Sequence, residues 1–107
     1  MDNNEVAIVG GAGFLGSRLT IRFKKGNIFS NKYDIDLSNP LGKTIYLDVE
    51  NIDSLDQLSK VSTIINLAAV HRDDVRPLSR YDDVNVQGAK NVCEAACKHG
   101  IYKIIFT

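Results

Sequence analysis

Continuous apolar runs alternate along the chain with segments of helical period. Glu5 to Val9 carries the run VAIV and stops at a cluster of glycines, as a short buried strand does. From Phe14 to Lys25 the period changes. Phe14, Leu15, Leu19 and Phe23 fall on one helical stripe, with Gly26-Asn27 as its stop. A second strand is expected near NKYDIDL, after the polar NIFSNK, and a third around Thr44 to Leu47. Ile52, Leu55 and Leu58 recur at helical spacing, so Ile52 to Ser59 predicts a short helix. VSTIINLAA then supplies an apolar run suited to a strand buried on both faces. Past the polar HRDDVRP, the segment from about Leu78 to His99 reads as helix throughout. Its stripe is Val84, Gly88, Val92 and Ala95 or Ala96, and Gly100 suits the position just past its end. YKIIFT predicts a fifth strand.

Strands that alternate with helices imply right-handed crossovers and a parallel α/β sheet. No internal repeat or low-complexity linker interrupts the order. At 107 residues the chain is one domain or part of one. Its 13 basic and 13 acidic side chains cancel, so no global field draws nucleic acid or an anionic membrane, and an anionic ligand must be held locally. No apolar run approaches the roughly 20 residues of a membrane span, and MDNNEV lacks a signal-peptide pattern, so a cytoplasmic protein is expected. Cys93 and Cys97, four apart in a helix, read as reduced thiols. A metal site would need partners beyond His99, and none is expected.

The stretch AIVGGAGFLGSRL gives this pattern its chemistry. A strand entering a helix through a glycine turn aims unpaired backbone N–H groups and the positive helix end at whatever lies above the sheet, which is a pyrophosphate site. Two triplets fit: Gly11, Gly13 and Gly16 match G-x-G-x-x-G, and Gly10, Gly13 and Gly16 match G-x-x-G-x-x-G. One glycine makes the turn, one admits the phosphates, and Gly16 lets the helix approach the first strand. An acid about 20 residues on is also required, and Asp34 fits better than Asp36. At the end of the second strand, the Asp34 carboxylate can accept both ribose hydroxyls and would repel a 2′-phosphate, favouring NAD over NADP. Asp36 reads as a solvated turn residue. Arg18 reads as solvent-facing, and so do Asp73 and Asp74.

Taken together, GGAGFLGS, YLDVEN, INLAAVH, VNVQGAKNVCEAA and IIFT resemble the extended short-chain dehydrogenase/reductase family, the NAD-dependent sugar-nucleotide epimerases and dehydratases. The resemblance spans essentially the whole chain. It implies a Rossmann-type doubly wound parallel sheet of about five strands in the order 3-2-1-4-5, and NAD as cofactor. It selects Gly10, Gly13 and Gly16, with Gly11 as a permissive turn residue, and it sets Phe14 and Leu15 beside the pyrophosphate. Asp34 matches the ribose-binding acid, and Asp48 and Val49 match the pair that embraces the adenine. Leu67, Ala68 and Ala69 match the small-residue strand end close to the cofactor. Asn85 matches the asparagine of N-x-x-G. His71 stands equally as a cofactor or substrate contact and as a solvated loop residue. Val9 and Thr63 depart from the family's usual threonine and acid, and the connection between the second and third strands is short.

The family's chemistry lies on a serine or threonine and a Tyr-x-x-x-Lys pair beyond the fifth strand. Tyr33, Tyr46, Tyr81 and Tyr102 all precede that point, so no catalytic residue is assigned here. The resemblance therefore implies residues 1–107 as the N-terminal part of an NAD-binding domain, truncated after its fifth strand and without turnover of its own. The parent's substrate would be a nucleotide sugar. A non-catalytic NAD-binding sensor or interaction module is the alternative. Exposed apolar surface on the last strand and helix also predicts self-association.

Overall fold

The computed structural model describes residues 4–68, 82–101 and 103–107. Its elements are β1 (Glu5–Val9), α1 (Phe14–Lys25), β2 (Ser30–Asp34), β3 (Thr44–Tyr46), a 3-10 helix (Ile52–Lys60), β4 (Val61–Asn66), a π-helix (Asp82–Gln87), α2 (Gly88–His99) and β5 (Ile104–Phe106). The five strands form one sheet in the order β3-β2-β1-β4-β5, and every pairing is parallel. This is the Rossmann-type order expected from the sequence, with the direction of winding reversing between β1 and β4.

β1 sits at the centre of the sheet because Ala7 and Ile8 are fully buried and Val9 nearly so. Alternation splits the strand between faces. Ala7 and Val9 join Leu47, Leu55, Leu58, Ile64, Val92 and Ile101 in the main core, whereas Ile8 is buried outside that cluster. The 3-10 helix and α2 pack against each other on the core side. A run of nine residues is long for 3-10 geometry, but Leu55 and Leu58, three apart, both reach full burial in it.

Two expectations are corrected. The stripe assigned to α1 does not bury: Phe14 is 79% exposed, Leu15 48%, and Gly16 is the buried residue of that helix. The second helical segment is α-helical only from Gly88, with π-type geometry from Asp82 to Gln87 before it. The expected stretch from Leu78 to Tyr81 lies outside the described residues. So do the side chain of Val84 and the loop residues Arg72, Asp73 and Asp74.

Helix endings follow local chemistry. α1 closes with Ile28 N–H donating to the Phe23 carbonyl (2.8 Å) and Asn27 N–H to that of Lys24 (3.2 Å). This six-to-one and five-to-two pair requires a left-handed residue, and that residue is Asn27 (φ 59°), not Gly26 (φ −88°). α2 ends the same way on Gly100 (φ 71°), with Ile101 N–H on the Ala96 carbonyl (2.8 Å).

Candidate functional site

The glycine turn lies at the C-terminal edge of the sheet, where β1 gives way to α1. Its four glycines have different jobs. Gly10 makes the turn, at φ +81°, and a Cβ there would lie 2.6 Å from the Ala68 nitrogen and 2.8 Å from the Leu67 carbonyl carbon. Its bare Cα is what lets the end of β4 close on the turn. Gly16 is equally constrained, since a Cβ would come within 2.5 Å of Gly11. What it allows the helix to approach is the turn itself rather than β1. Gly11, expected to be a permissive turn residue, is a packing residue instead. It lacks positive φ, and a Cβ would sit 2.7 Å from the Ile8 carbonyl and 2.9 Å from Lys32 Cβ.

Gly13 differs from the other three. It caps α1 with φ −79°, and the closest atom to an added Cβ is the Gly10 carbonyl at 3.8 Å, an ordinary contact. Neither backbone strain nor packing accounts for a glycine at that position. The helix it opens has no side-chain cap and no acid in its first turn, while Arg22, Lys24 and Lys25 occupy its last. The positive end is left uncompensated and the negative end is satisfied, an arrangement that suits an anion above Gly13. A dinucleotide's pyrophosphate fits this cradle, because the side chain missing at Gly13 leaves space that the protein does not fill.

Asp34 ends β2 beside the turn. Its Oδ2 accepts the Ala12 N–H (2.9 Å) and its Oδ1 the Asp36 N–H (3.0 Å), so the carboxylate is held against the turn with lone pairs to spare. Asp36 behaves as the turn residue it was read to be. The Ser38 hydroxyl (2.6 Å) and N–H (2.9 Å) hold its carboxyl below the usual carboxylate range.

Asp48 and Val49 follow β3. Asp48 is half-buried, its Oδ1 accepting the Glu50 N–H (3.0 Å), while the Ser54 hydroxyl donates to its carbonyl (2.8 Å). Val49 is buried, and its carbonyl accepts from the Asn91 amide at 2.9 Å. Leu67 and Ala68 stand across the switch point from the glycines, tied in by the Leu67 N–H to the Val9 carbonyl (2.7 Å) and the Ala68 N–H to Asn66 Oδ1 (3.2 Å). Asn85 lies on the π-helix, and Phe14 and Leu15 stand exposed at the start of α1, Phe14 under the Arg18 guanidinium at 5.3 Å. Ala69 and His71 lie outside the described residues. The structure thus gathers Gly10, Gly13, Gly16, Asp34, Leu67 and Ala68 around one crevice.

Three supporting residues escaped the sequence reading. Lys32 is buried on β2, its amine donating to Asn39 Oδ1 (3.0 Å) and to the Leu41 carbonyl, and burial pushes that amine below its ordinary value. A lysine in a strand carries no sequence signal for burial. Asn39 has none either. Asn91, buried on α2 between Gly88 and Val92, could have been found from the stripe itself, since three residues after Gly88 is a core-facing position.

The description "NAD dependent epimerase/dehydratase family" belongs to the family model that matches residues 6–107. Among curated proteins, the chain is 40% identical over 107 residues to the N-acetyl-alpha-D-glucosaminyl-diphospho-ditrans,octacis-undecaprenol 4-epimerase of Escherichia coli O157:H7, covering 98% of this chain and 32% of that protein. It therefore spans about a third of that relative's length. Among solved structures, UDP-glucose 4-epimerase from Brucella ovis in complex with NAD matches with a TM-score of 0.84 at 25% identity, over 96% of this chain and 35% of that one. Uronate dehydrogenase from Agrobacterium tumefaciens matches with a TM-score of 0.82 at 21% identity, over 97% of this chain and 40% of that one.

Proposed function

The chain belongs to the NAD-dependent epimerase/dehydratase family, and from that premise we propose that residues 1–107 form the adenosine- and pyrophosphate-binding part of an NAD-binding domain. The observation that carries this reading is Gly13, a glycine that nothing in the protein's own packing requires, at the head of a helix whose positive end has no acidic partner.

In this reading the turn from Gly10 to Gly16 holds the pyrophosphate through backbone N–H groups, with Phe14 and Leu15 flanking it. Asp34 accepts the adenosine ribose hydroxyls. Asp48 and Val49 border the adenine, while Leu67, Ala68, Ala69, His71 and Asn85 line the nicotinamide side. The nicotinamide would accept and return a hydride at a sugar carbon of a nucleotide-sugar substrate, the class of compound named for the Brucella relative. Cytoplasmic residence belongs to the same proposal, supported by Cys93 and Cys97, which are free and exposed, as reduced thiols are. Among the described residues no helix is long and apolar enough to cross a membrane.

Titration of the chain with NAD and NADP, followed by amide shifts, tests the proposal. NAD should move residues 10–16 and Asp34, NADP should bind more weakly because its 2′-phosphate meets the Asp34 carboxylate, and Asp34→Ala should narrow the gap. No perturbation at millimolar NAD would overturn it.

A further inference from the structure

Ala12, between two glycines of the turn, is gripped at both ends. Its N–H donates to Asp34 Oδ2 (2.9 Å), and its carbonyl accepts from Asn39 Nδ2 (2.9 Å). Asn39 comes from the loop after β2 and uses its whole side-chain amide. Nδ2 also reaches Ser17 Oγ on α1 (3.0 Å), while Oδ1 accepts the Lys32 amine (3.0 Å) and the Leu41 N–H (2.8 Å). The amide cannot be reversed. A lysine amine at the head of a charged side chain and a backbone N–H are both donors, so Oδ1 must face them and Nδ2 must face the Ala12 carbonyl. Lys32 is only 2% exposed and has no route to swing into solvent.

We propose that Asn39 is a positioning residue for pyrophosphate recognition, fixing the plane of the Ala12–Gly13 peptide so that the Gly13 N–H points away from the loop and into the cradle. The inference rests on the reading of the turn as a pyrophosphate site. Its geometry follows from a trans peptide, in which a carbonyl and the next N–H point in opposite directions. With the Ala12 carbonyl turned to Asn39, the Gly13 N–H is turned from it. The loop occupies the Asn39 side of the turn, so an anion takes the other. Lys32 has an indirect part, as the buried donor that sets which way the Asn39 amide faces.

Two variants separate positioning from simple support of the fold. Asn39→Ala removes all four hydrogen bonds. Asn39→Asp keeps acceptors for Lys32 and Leu41 and loses only the donors to Ala12 and Ser17, so it guards against a variant that fails to fold. Each is titrated with NAD and with adenosine, which has the ribose and base but no phosphate. The expected result is a displaced Gly13 amide resonance in both ligand-free variants, NAD binding weaker by about fivefold or more, and adenosine binding unchanged. NAD binding at the wild-type level in both variants overturns the inference while leaving the proposed function standing. A matched loss of NAD and adenosine also overturns it, as the signature of a merely structural role. Wild-type chain that binds no NAD overturns the functional reading and this inference with it.

Discussion

At the scale of single residues, the glycine turn separates what the fold needs from what a ligand needs. Gly10 and Gly16 have backbone atoms closer than 3.0 Å to any added Cβ, and Gly10 also has positive φ. Alanine at either position should cost on the order of 2–3 kcal/mol in denaturant unfolding, because the obstructing atoms are main chain and cannot move aside. At Gly13 the same methyl meets nothing nearer than 3.8 Å. Alanine there trades a lower unfolded-state entropy against a poorer helix cap, so stability should stay within about 1 kcal/mol of wild type. NAD binding should nonetheless weaken about tenfold or more, equivalent to ~1.4 kcal/mol. A Gly13→Ala chain that unfolds as readily as Gly10→Ala would show that the glycine serves packing after all. One that binds NAD normally would remove the main support for the cradle.

At the scale of elements, β1 and β2 are joined by more than their backbone ladder. Tyr33, 3% exposed on β2, donates its hydroxyl to Glu5 at the start of β1. Burial, and then the hydrogen bond and the charge of Glu5, push the phenol well above its ordinary value of 10. A folded-state value above the unfolded one gives stability that is whole below about pH 10 and is lost as the pH rises from there, because the unfolded chain then releases a proton that the folded chain keeps. Tyr33→Phe should be about 1 kcal/mol less stable at neutral pH, where Glu5 loses its donor, and should fall off less steeply above pH 10. Parallel alkaline profiles for the two chains would refute this link. The elements themselves were largely legible in the sequence, since VAIV, KTIY and VSTIIN are apolar runs whose type and rough bounds follow from period alone. The amphipathic reading of α1 failed because Phe14 and Leu15, though apolar and on one stripe, stand exposed at its head. Lys32 and Asn39 were invisible for the converse reason: the hydrogen bonds that make their burial tolerable join β2 to a loop, and no local period records a contact across the fold.

For the whole molecule, the parallel order leaves β5 at an edge, joined to β4 and presenting Ile105 and Phe106 at 47% and 49% exposure. Phe106 also lines a shallow groove with Ala89 and Cys93 of α2, so apolar surface runs from the strand onto the helix. With 13 charges of each sign the chain has no net repulsion to keep copies apart near neutral pH, and an unpaired strand edge offers N–H and carbonyl groups to any extended partner. Concentration-dependent association is therefore expected in sedimentation velocity. Its cause can be told from the same experiment. Association through apolar contact at β5 should survive raised salt, which screens charges beyond about 3 Å at 1 M, and should fall in Phe106→Ser and Ile105→Lys. Because the glycine crevice lies at the other side of β4, these substitutions should leave the NAD-induced shifts of residues 10–16 in place. Association that disappears in salt and ignores both substitutions would assign it to surface charge instead of the sheet edge.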